Sequence, residues 1–292
     1  MYATRLASVI VALSVFQMAG AEAGPREAIK LWETAGFKNP ESALYDPEAS
    51  VLYVSNVNGE PTAKDGNGFI SEVSPDGKVL VMEWVSGLDG PKGLARVGGK
   101  LYAADIDALA EIDIASGKVV KRHEAKDAKF LNDVAADAAG NVYVSDMLTN
   151  TIWRLSDGRF DVFLRDDKLE SPNGLLVEGD MLLVGAWGVM TDGLTTKVPG
   201  HLKMVSLKDK SIVSHGDGTP IGNLDGLESF GDGAYLVSDW VAGKVIRIGR
   251  KGKARVLADL GQGTADLDFD PKTATAFIPQ MKTGLLYGYK IE

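Results

Sequence analysis

The sequence predicts an all-β fold, a six-bladed β-propeller whose last blade is closed by an N-terminal strand. Two observations support this prediction. A short apolar run with a characteristic ending recurs six times along the 292 residues. The segments between the copies have the pattern of strands and hairpins, with almost no room for helices. Six four-stranded blades arranged around one axis account for both features.

The best-defined copy spans residues 130–146 and ends in Val-Tyr-Val-Ser-Asp. Aligning the other copies on this ending gives six closing residues: Asn56, Asp105, Asp146, Trp187, Asp239 and Gln280. Their spacings are 49, 41, 41, 52 and 41 residues, a period typical of propeller blades and of helical-pair solenoids. Short runs rich in Val, Leu, Ile and Tyr, cut by Asp-Gly, Gly-Gly, Gly-Lys and Gly-Asn pairs, favour blades.

The repeats follow one another without a linker, at residues 41–85, 91–123, 130–164, 172–215, 224–257 and 265–291. The sixth repeat contains only three strands, at residues 265–269, 274–279 and 285–291. Residues 28–33 alternate like a strand before the first repeat, and we expect them to supply the missing outermost strand of the sixth blade. Closing the ring with both chain ends in one blade removes an open sheet edge.

The first 23 residues differ from the repeats and predict a cleaved secretory signal. Arg5 precedes an apolar run over residues 6–18, which ends in the small-residue pattern Ala-Glu-Ala. The run is short for a membrane span, although an uncleaved N-terminal anchor is the alternative. No later segment is apolar enough to cross a membrane, so we expect a propeller domain at residues 24–292 in a periplasmic or secreted protein.

Composition limits the kinds of partner. The net charge is −9 and basic clusters are absent, which argues against nucleic acid and anionic membrane surfaces as partners. Cysteine is absent and only three histidines occur, so a zinc or copper site would be hard to build. We expect a monomer that acts on a small molecule, and the acidic composition is compatible with a cation site.

Propeller geometry brings one repeat position to the channel mouth, because the innermost strand of each blade comes first. The residues at the head of these strands are Glu41, Lys92, Asn132, Asn173, Asp225 and Asp266. Four of them, Glu41, Asn132, Asn173 and Asp225, offer the hard oxygen donors that calcium prefers. The alternative is that Asn173-Gly174 and Asp225-Gly226 are merely turn formers. Two long loops, at residues 56–67 and 187–200, should overhang the same mouth.

Four motifs at these positions resemble one protein family. They are Pro-Glu-Ser-Ala-Leu-Tyr-Asp at 40–46, Leu-Asn-Asp at 131–133, Pro-Asn-Gly-Leu at 172–175 and Leu-Asp-Gly-Leu-Glu at 224–228. In the same blade order they resemble motifs of the senescence marker protein 30, gluconolactonase and luciferin-regenerating-enzyme family. Diisopropylfluorophosphatase and the paraoxonases are its more distant relatives. The resemblance covers residue 38 to the end.

The resemblance implies a Ca²⁺-dependent, or other divalent-metal-dependent, hydrolase of lactones or related esters. Glu41, Asn173 and Asp225 match the metal ligands, and Asn132 matches a position that binds metal or substrate. Asp225 also matches the carboxylate proposed as base or nucleophile. Trp187 is the one tryptophan expected to contact substrate at the mouth.

Several residues depart from the family pattern or have an open role. Lys92 stands where a small neutral residue is expected; it could orient a substrate carboxylate or phosphate, or pair with Asp266. The family's substrate-clamping arginine has no counterpart near Asn132. Glu228 is either a supporting acid or a solvated strand residue, and His201 could shuttle protons or simply lie on the surface.

A non-catalytic reading remains open as well. A periplasmic binding or scaffold propeller could use the loop-rich face to hold a peptide or protein, since one fold hosts many functions. Other catalytic constellations are missing from the sequence, because it has neither a Gly-x-Ser-x-Gly nucleophile elbow nor a phosphate-binding loop. The rival interpretations are therefore a metal-dependent lactonase or esterase and a binding propeller.

Overall fold

The computed structural model describes residues 28–292, and these form six four-stranded antiparallel sheets arranged as the blades of a propeller. The predicted fold class is confirmed. The signal predicted at residues 1–23 lies outside the described residues. Within residues 28–292, no helix is both long enough and apolar enough to span a bilayer.

The strands follow the chain from the inner to the outer edge of each blade. Blade 1 comprises β2 (Pro40–Asp46), β3 (Val51–Asn56), β4 (Gly68–Val73) and β5 (Val79–Leu88). Blade 2 comprises β6 (Pro91–Val97), β7 (Lys100–Asp105), β8 (Ala108–Asp113) and β9 (Lys118–Glu124). Blade 3 comprises β10 (Leu131–Ala136), β11 (Val142–Asp146), β12 (Thr151–Ser156) and β13 (Arg159–Arg165).

The second half of the ring repeats this plan with one insertion. Blade 4 comprises β14 (Pro172–Glu178), β15 (Met181–Ala186), β18 (Leu202–Ser206) and β19 (Ile212–Ser214), and a separate ribbon is formed by β16 (Gly188–Asp192) and β17 (Thr195–Pro199). Blade 5 comprises β20 (Leu224–Gly231), β21 (Ala234–Asp239), β22 (Lys244–Ile248) and β23 (Ala254–Asp259). Blade 6 comprises β24 (Asp268–Asp270), β25 (Thr275–Gln280), β26 (Leu285–Ile291) and β1 (Ala28–Ala35).

The closure of the sixth blade by the N-terminal strand is confirmed. Strand β1 pairs antiparallel with β26, from Ala28 opposite Ile291 to Ala35 opposite Leu285. Trp32 on β1 also reaches the first blade, because its indole Nε1 donates to the carbonyl of Pro75 at 3.1 Å. The two chain ends therefore complete blade 6 and connect it to blade 1.

The hydrophobic core lies between neighbouring blades, because alternate residues of each strand face the adjacent sheet. Between blades 2 and 3, for example, Leu109 packs in one buried cluster with Val144 and Trp153. Equivalent clusters fill the other junctions, including one between blades 6 and 1 that contains Phe277 and Leu52. The apolar run of each repeat thus contributes to the hydrophobic clusters on either side of its blade.

Where the closing residue of a repeat is polar, its side chain connects the second strand to the backbone that enters the first. Asp146 accepts hydrogen bonds from the backbone N–H groups of Lys129 and Phe130, at 3.0 and 3.1 Å. Asp105 does the same for Asp89 and Gly90. A buried backbone N–H must find an acceptor, so the repeated carboxylate or amide has a structural role at the top of the blade.

One closing residue predicted from sequence is wrong. Ala186, not Trp187, stands opposite the first residue of its inner strand, as Asp146 does in blade 3. The ending of the fourth repeat, Gly185-Ala186, lacks the polar residue that marks this position in the other repeats, so the sequence alone does not show where it closes. Trp187 therefore corresponds to Met147, the residue that follows the closing position.

Trp32→Ala should destabilise the protein by about 2–4 kcal/mol, a loss typical of a truncated aromatic side chain that packs at a junction. Trp32 contacts Phe277 at a ring-centroid distance of 6.2 Å and approaches Gly77 of blade 1. Urea denaturation would measure the loss. Leu31→Ala is the matched control, because this neighbouring side chain is 51% exposed and should change stability by no more than about 0.5 kcal/mol. Equal effects of the two substitutions would contradict the proposed junction.

Candidate functional site

A β-bulge occurs near the start of the inner strand in each of the first five blades. The register shifts lie between Pro40 and Ala43, Pro91 and Leu94, Leu131 and Val134, Pro172 and Leu175, and Leu224 and Leu227. A bulge redirects the side chain of its first residue and is frequent beside functional sites. That residue is the predicted head position in every case: Glu41, Lys92, Asn132, Asn173 and Asp225.

Three of these bulges are each stabilised by a serine of the adjacent strand. The bulge leaves one backbone N–H of the inner strand without a ladder partner, and a serine hydroxyl accepts it. Ser55 accepts from Ser42 N–H at 2.9 Å, and Ser238 accepts from Gly226 N–H at 2.7 Å. Ser145 accepts from Asp133 N–H at 2.9 Å. The repeated Val-Ser-Asp or Val-Ser-Asn ending thus positions the residues that precede these N–H groups.

The glycines after Asn173 and Asp225 do not serve turns. Both lie within inner strands, β14 and β20, so the turn interpretation from the sequence is wrong. A Cβ on Gly174 would stand 1.9 Å from the backbone oxygen of Asp225, and one on Gly226 would stand 2.4 Å from the backbone nitrogen of Leu267. Glycine is required here because adjacent inner strands approach each other closely near the axis.

The five head residues line one cavity of about 310 Å³ at the channel mouth. Both long loops border it, the first through Gly59, Glu60 and Pro61 and the second through Leu194. The expectation that the two loops overhang the same mouth is confirmed. Asp266, the sixth head residue, is not part of the cavity wall; it accepts a hydrogen bond from Ser42 Oγ at 2.6 Å.

Two buried oxygens in this cavity have no hydrogen-bond partner. They are Glu41 Oε2 and Asn173 Oδ1. The amide of Asn173 is oriented by its other end, because Nδ2 donates to Asp225 Oδ1 at 2.9 Å. Buried polar atoms are rarely left unpaired, and an exception calls for an unseen water or ion. Two carboxylates and an amide oxygen are a donor set that suits a hard divalent cation.

The carboxylates at the mouth are unfavourably close to one another. The pKa of Glu41 is raised well above its usual range by burial, and then by the charges of Asp225 and Asp266. Burial and the charge of Asp266 likewise raise the pKa of Asp225. A bound cation would relieve both effects, since it lowers the energy of the ionised forms.

More acids lie close enough to the mouth carboxylates to interact with their charges. Asp133 bridges blades 3 and 4, because its Oδ2 accepts from Leu175 N–H at 2.6 Å; burial raises its pKa to about 7. Asp268 joins blade 6 to blade 1 by accepting from Tyr45 N–H at 2.6 Å, and burial raises its pKa to about 6. The half-buried Glu228 lies among these acids; burial and repulsion by Asp268 raise its pKa. Glu228 is thus a partly exposed strand residue that lies close enough to the buried acids to be affected by their charges.

Lys92 is almost fully buried, with 1% of its surface exposed. Its Nζ donates to the carbonyls of Gly90 at 2.8 Å and of Pro61 at 3.0 Å, and it lies 4.6 Å from the ring centre of Phe130. Burial lowers its pKa to about 8, against the opposing charges of Glu41 and Asp105. Within residues 28–292 it forms no ion pair with Asp266, so that alternative is wrong.

The other two predicted substrate contacts also lie at the mouth. Asn132 borders the cavity, and its Nδ2 lies 3.5 Å from Met147 Sδ. Trp187 borders it as well, with its Nε1 donating to Leu194 O at 2.9 Å. Sequence reasoning missed Trp240, whose ring lies 6.1 Å from that of Trp187. The signal was available, because Trp240 directly follows the closing residue Asp239 just as Met147 follows Asp146.

The histidines lie away from the cavity. His201 is buried beside blade 4, where its Nε2 lies 2.9 Å from Ser214 Oγ. It therefore neither lies on the surface nor borders the cavity at the mouth, and both alternatives offered by the sequence are wrong. In the part of the chain that the structure describes, no group of three or more His, Cys, Asp or Glu side chains has metal-binding geometry. The candidate metal centre contains two such residues, and its remaining donors are amides.

No protein-family model and no curated protein matches the sequence. Among solved structures, a gluconolactonase from Xanthomonas campestris superimposes with a TM-score of 0.67 at 16% identity, over 92% of this chain and 91% of that one. Regucalcin from Agrobacterium tumefaciens, described as a calcium-binding protein, gives a TM-score of 0.67 at 19% identity, over 92% and 95%.

A virginiamycin B lyase from Staphylococcus aureus shares the architecture too. It gives a TM-score of 0.59 at 12% identity and covers 91% of this chain and all of that one. At these identities the likeness is one of fold. The resemblance to the gluconolactonase group that the sequence predicted is confirmed for the fold. The lyase shows that proteins of the same fold also catalyse other reactions.

Ser238→Ala should lower the free energy of unfolding by about 1–3 kcal/mol, because it leaves the buried N–H of Gly226 without an acceptor. Chemical denaturation would measure this loss. Ser206→Ala is a suitable control, since the Ser206 hydroxyl hydrogen-bonds only Asp209, in an exposed turn, and accepts from its N–H at a long 3.3 Å. A Ser238→Ala protein as stable as the parent would contradict the role assigned to the hydroxyl.

The metal-free protein should become more stable as the pH falls from about 7.5 to about 5. Asp133 and Asp268 have folded-state pKa values of about 7 and about 6, above the ordinary 3.8. The folded state therefore binds more protons than the unfolded state in this window, so unfolding becomes less favourable on acidification.

Thermal melts across the window would measure this dependence. Asp268→Asn should reduce its slope, because it removes one of the carboxyl groups whose pKa is raised in the folded state. A melting temperature that falls throughout the acidification would contradict the assignment of raised pKa values to the channel acids.

Proposed function

We propose that the protein is a divalent-metal-dependent hydrolase that acts on a lactone or a related ester, with Ca²⁺ as the expected ion. The observation that carries the proposal is the pair of unpartnered buried oxygens, Glu41 Oε2 and Asn173 Oδ1, beside Asp225 in the cavity. Glu41, Asn173 and Asp225 would hold the ion, and Asn132 would complete the donor set or contact the substrate.

A divalent cation held there supplies Lewis-acid polarisation of an ester carbonyl. The residues of the chain provide the other requirements. Asn173 Nδ2 fixes Asp225 through Oδ1, which leaves Oδ2 to accept the proton of an attacking water. Buried side chains around the acids exclude bulk solvent, and this strengthens every electrostatic interaction in the cavity.

The residues that line the cavity favour a hydrolase over a lyase. The lyase from Staphylococcus aureus is described as catalytically inactive when one histidine is replaced by alanine. No histidine borders the cavity of the described chain, whereas the acids suited to activating water do.

Removal of divalent ions by a chelator should lower the melting temperature and abolish lactone hydrolysis, and Ca²⁺ should restore both. An ion present at 100 times its dissociation constant stabilises the folded state by about 2.7 kcal/mol. Differential scanning fluorimetry and a pH-indicator assay on a panel of lactones would measure the two effects. Unchanged stability and turnover after chelation would rule out metal dependence.

Asp225→Asn should lower kcat/KM by about 10²- to 10⁴-fold, the range expected when a general base is lost. The substitution keeps the size of the side chain, so the fold should persist and circular dichroism should be unchanged. Asp217→Asn is the control, because Asp217 accepts hydrogen bonds only within an exposed turn. Full activity of the Asp225→Asn variant would remove Asp225 from the mechanism.

A further inference from the structure

The residue that follows the closing position is apolar in every blade. The six residues are Val57, Ile106, Met147, Trp187, Trp240 and Met281. Four of them, all except Val57 and Ile106, border the cavity at the channel mouth. The polar head residues form the floor of the site, and these apolar residues form its wall.

Part of this wall is a hydrophobic cluster separate from the cores between the blades. Phe130, Met147 and Trp187 are its buried members, and Met190 and Trp240 pack against them; we call these five residues the mouth cluster. They come from the loops at the top of blades 3, 4 and 5 and from the inserted ribbon. The sheets do not need this cluster for their own packing, so its position beside the site points to a ligand.

Several hydrogen-bond donors of the cavity are already engaged within the protein, which leaves fewer for a substrate rich in hydroxyl groups. Lys92 Nζ already donates to two backbone carbonyls, Trp187 Nε1 donates to Leu194 O, and Asn173 Nδ2 donates to Asp225. Specific recognition of a sugar depends on well-placed hydrogen-bond partners. The free oxygens, Glu41 Oε2 and Asn173 Oδ1, lie together on the floor, where the ion is proposed to bind.

We propose that the substrate is a lactone whose ring carries an alkyl or aryl substituent, and that this substituent lies against the mouth cluster. This inference rests on the hydrolase function proposed above and narrows its substrate class. The ester carbonyl lies on the floor, where Glu41, Asn173 and Asp225 would hold the ion that polarises it, and the apolar group contacts Trp187 and Trp240. A cavity of about 310 Å³, at the lower end of the range for small-molecule sites, suits a ligand of this size.

The polar floor and the apolar wall of the cavity explain how the substrate would be oriented. Removing a carbon chain from water is worth about 0.8 kcal/mol for each buried CH₂ group, so a substituent of several carbons contributes most of the binding energy. Trp240 also interacts with Lys282, whose Nζ lies 5.4 Å from its ring centre.

The test compares three lactones with the holoprotein: unsubstituted γ-butyrolactone, γ-nonalactone and glucono-1,5-lactone. We expect γ-nonalactone to have the highest kcat/KM. Trp240→Ala should raise the KM for γ-nonalactone about tenfold, which corresponds to about 1.4 kcal/mol, and raise the KM for γ-butyrolactone much less, so that the selectivity for the substituted lactone falls. Trp240→Phe should restore most of the loss. Val241→Ala is the control, because this neighbouring side chain is exposed and does not border the cavity.

Binding of a non-hydrolysable lactam that carries the same five-carbon chain separates this inference from the proposed function. If no lactone is hydrolysed but the lactam binds in a Trp240-dependent way, the hydrolase fails and the ligand class stands. If glucono-1,5-lactone is preferred and Trp240→Ala changes nothing, the hydrolase stands and this inference is overturned. If neither hydrolysis nor lactam binding is detected, both are overturned.

Discussion

The β-bulge at the start of the inner strands is the constraint on which the rest of the structure depends. Without it, the strand would alternate regularly and the head side chains would not all face the mouth. With it, five blades deliver one residue each to the same cavity. The bulge in turn needs an acceptor for its displaced N–H and room beside the next strand, and the serine of the repeat and the glycines near the axis meet these needs.

This arrangement has an electrostatic cost that the fold does not relieve. Glu41, Asp225 and Asp266 are buried near one another, and the single buried lysine at the mouth is bound to carbonyls instead of to any of them. Deeper in the channel, Asp133 and Asp268 serve a different purpose, since each accepts a backbone N–H of a neighbouring blade. The channel therefore contains acids that join blades and acids whose oxygens remain free, and only the latter suit a cation.

Much of the fold followed from the sequence, because repeats at a fixed spacing reveal the number of blades and the short sixth repeat reveals the closing strand. The head residues were also predictable, since each stands at the same position of its repeat. The turn interpretation of the Asn-Gly and Asp-Gly pairs failed because these glycines are required by contacts between blades. A Cβ on Gly174 would lie 1.9 Å from the backbone oxygen of Asp225, and such a distant contact cannot be read from the neighbouring residues in the sequence. The environment of Lys92 was hidden for a similar reason: its partner Pro61 lies in another blade.

Because β1 pairs with β26, the first of the described strands to be synthesised cannot find its partner until the last strand has been made. Ala28 and Ile291 are neighbours in the finished sheet, so the ring cannot close while the C-terminal strand is still unsynthesised. Contacts of such long sequence separation form late and slowly. Until then the nascent chain is an open array of blades whose sixth sheet is incomplete.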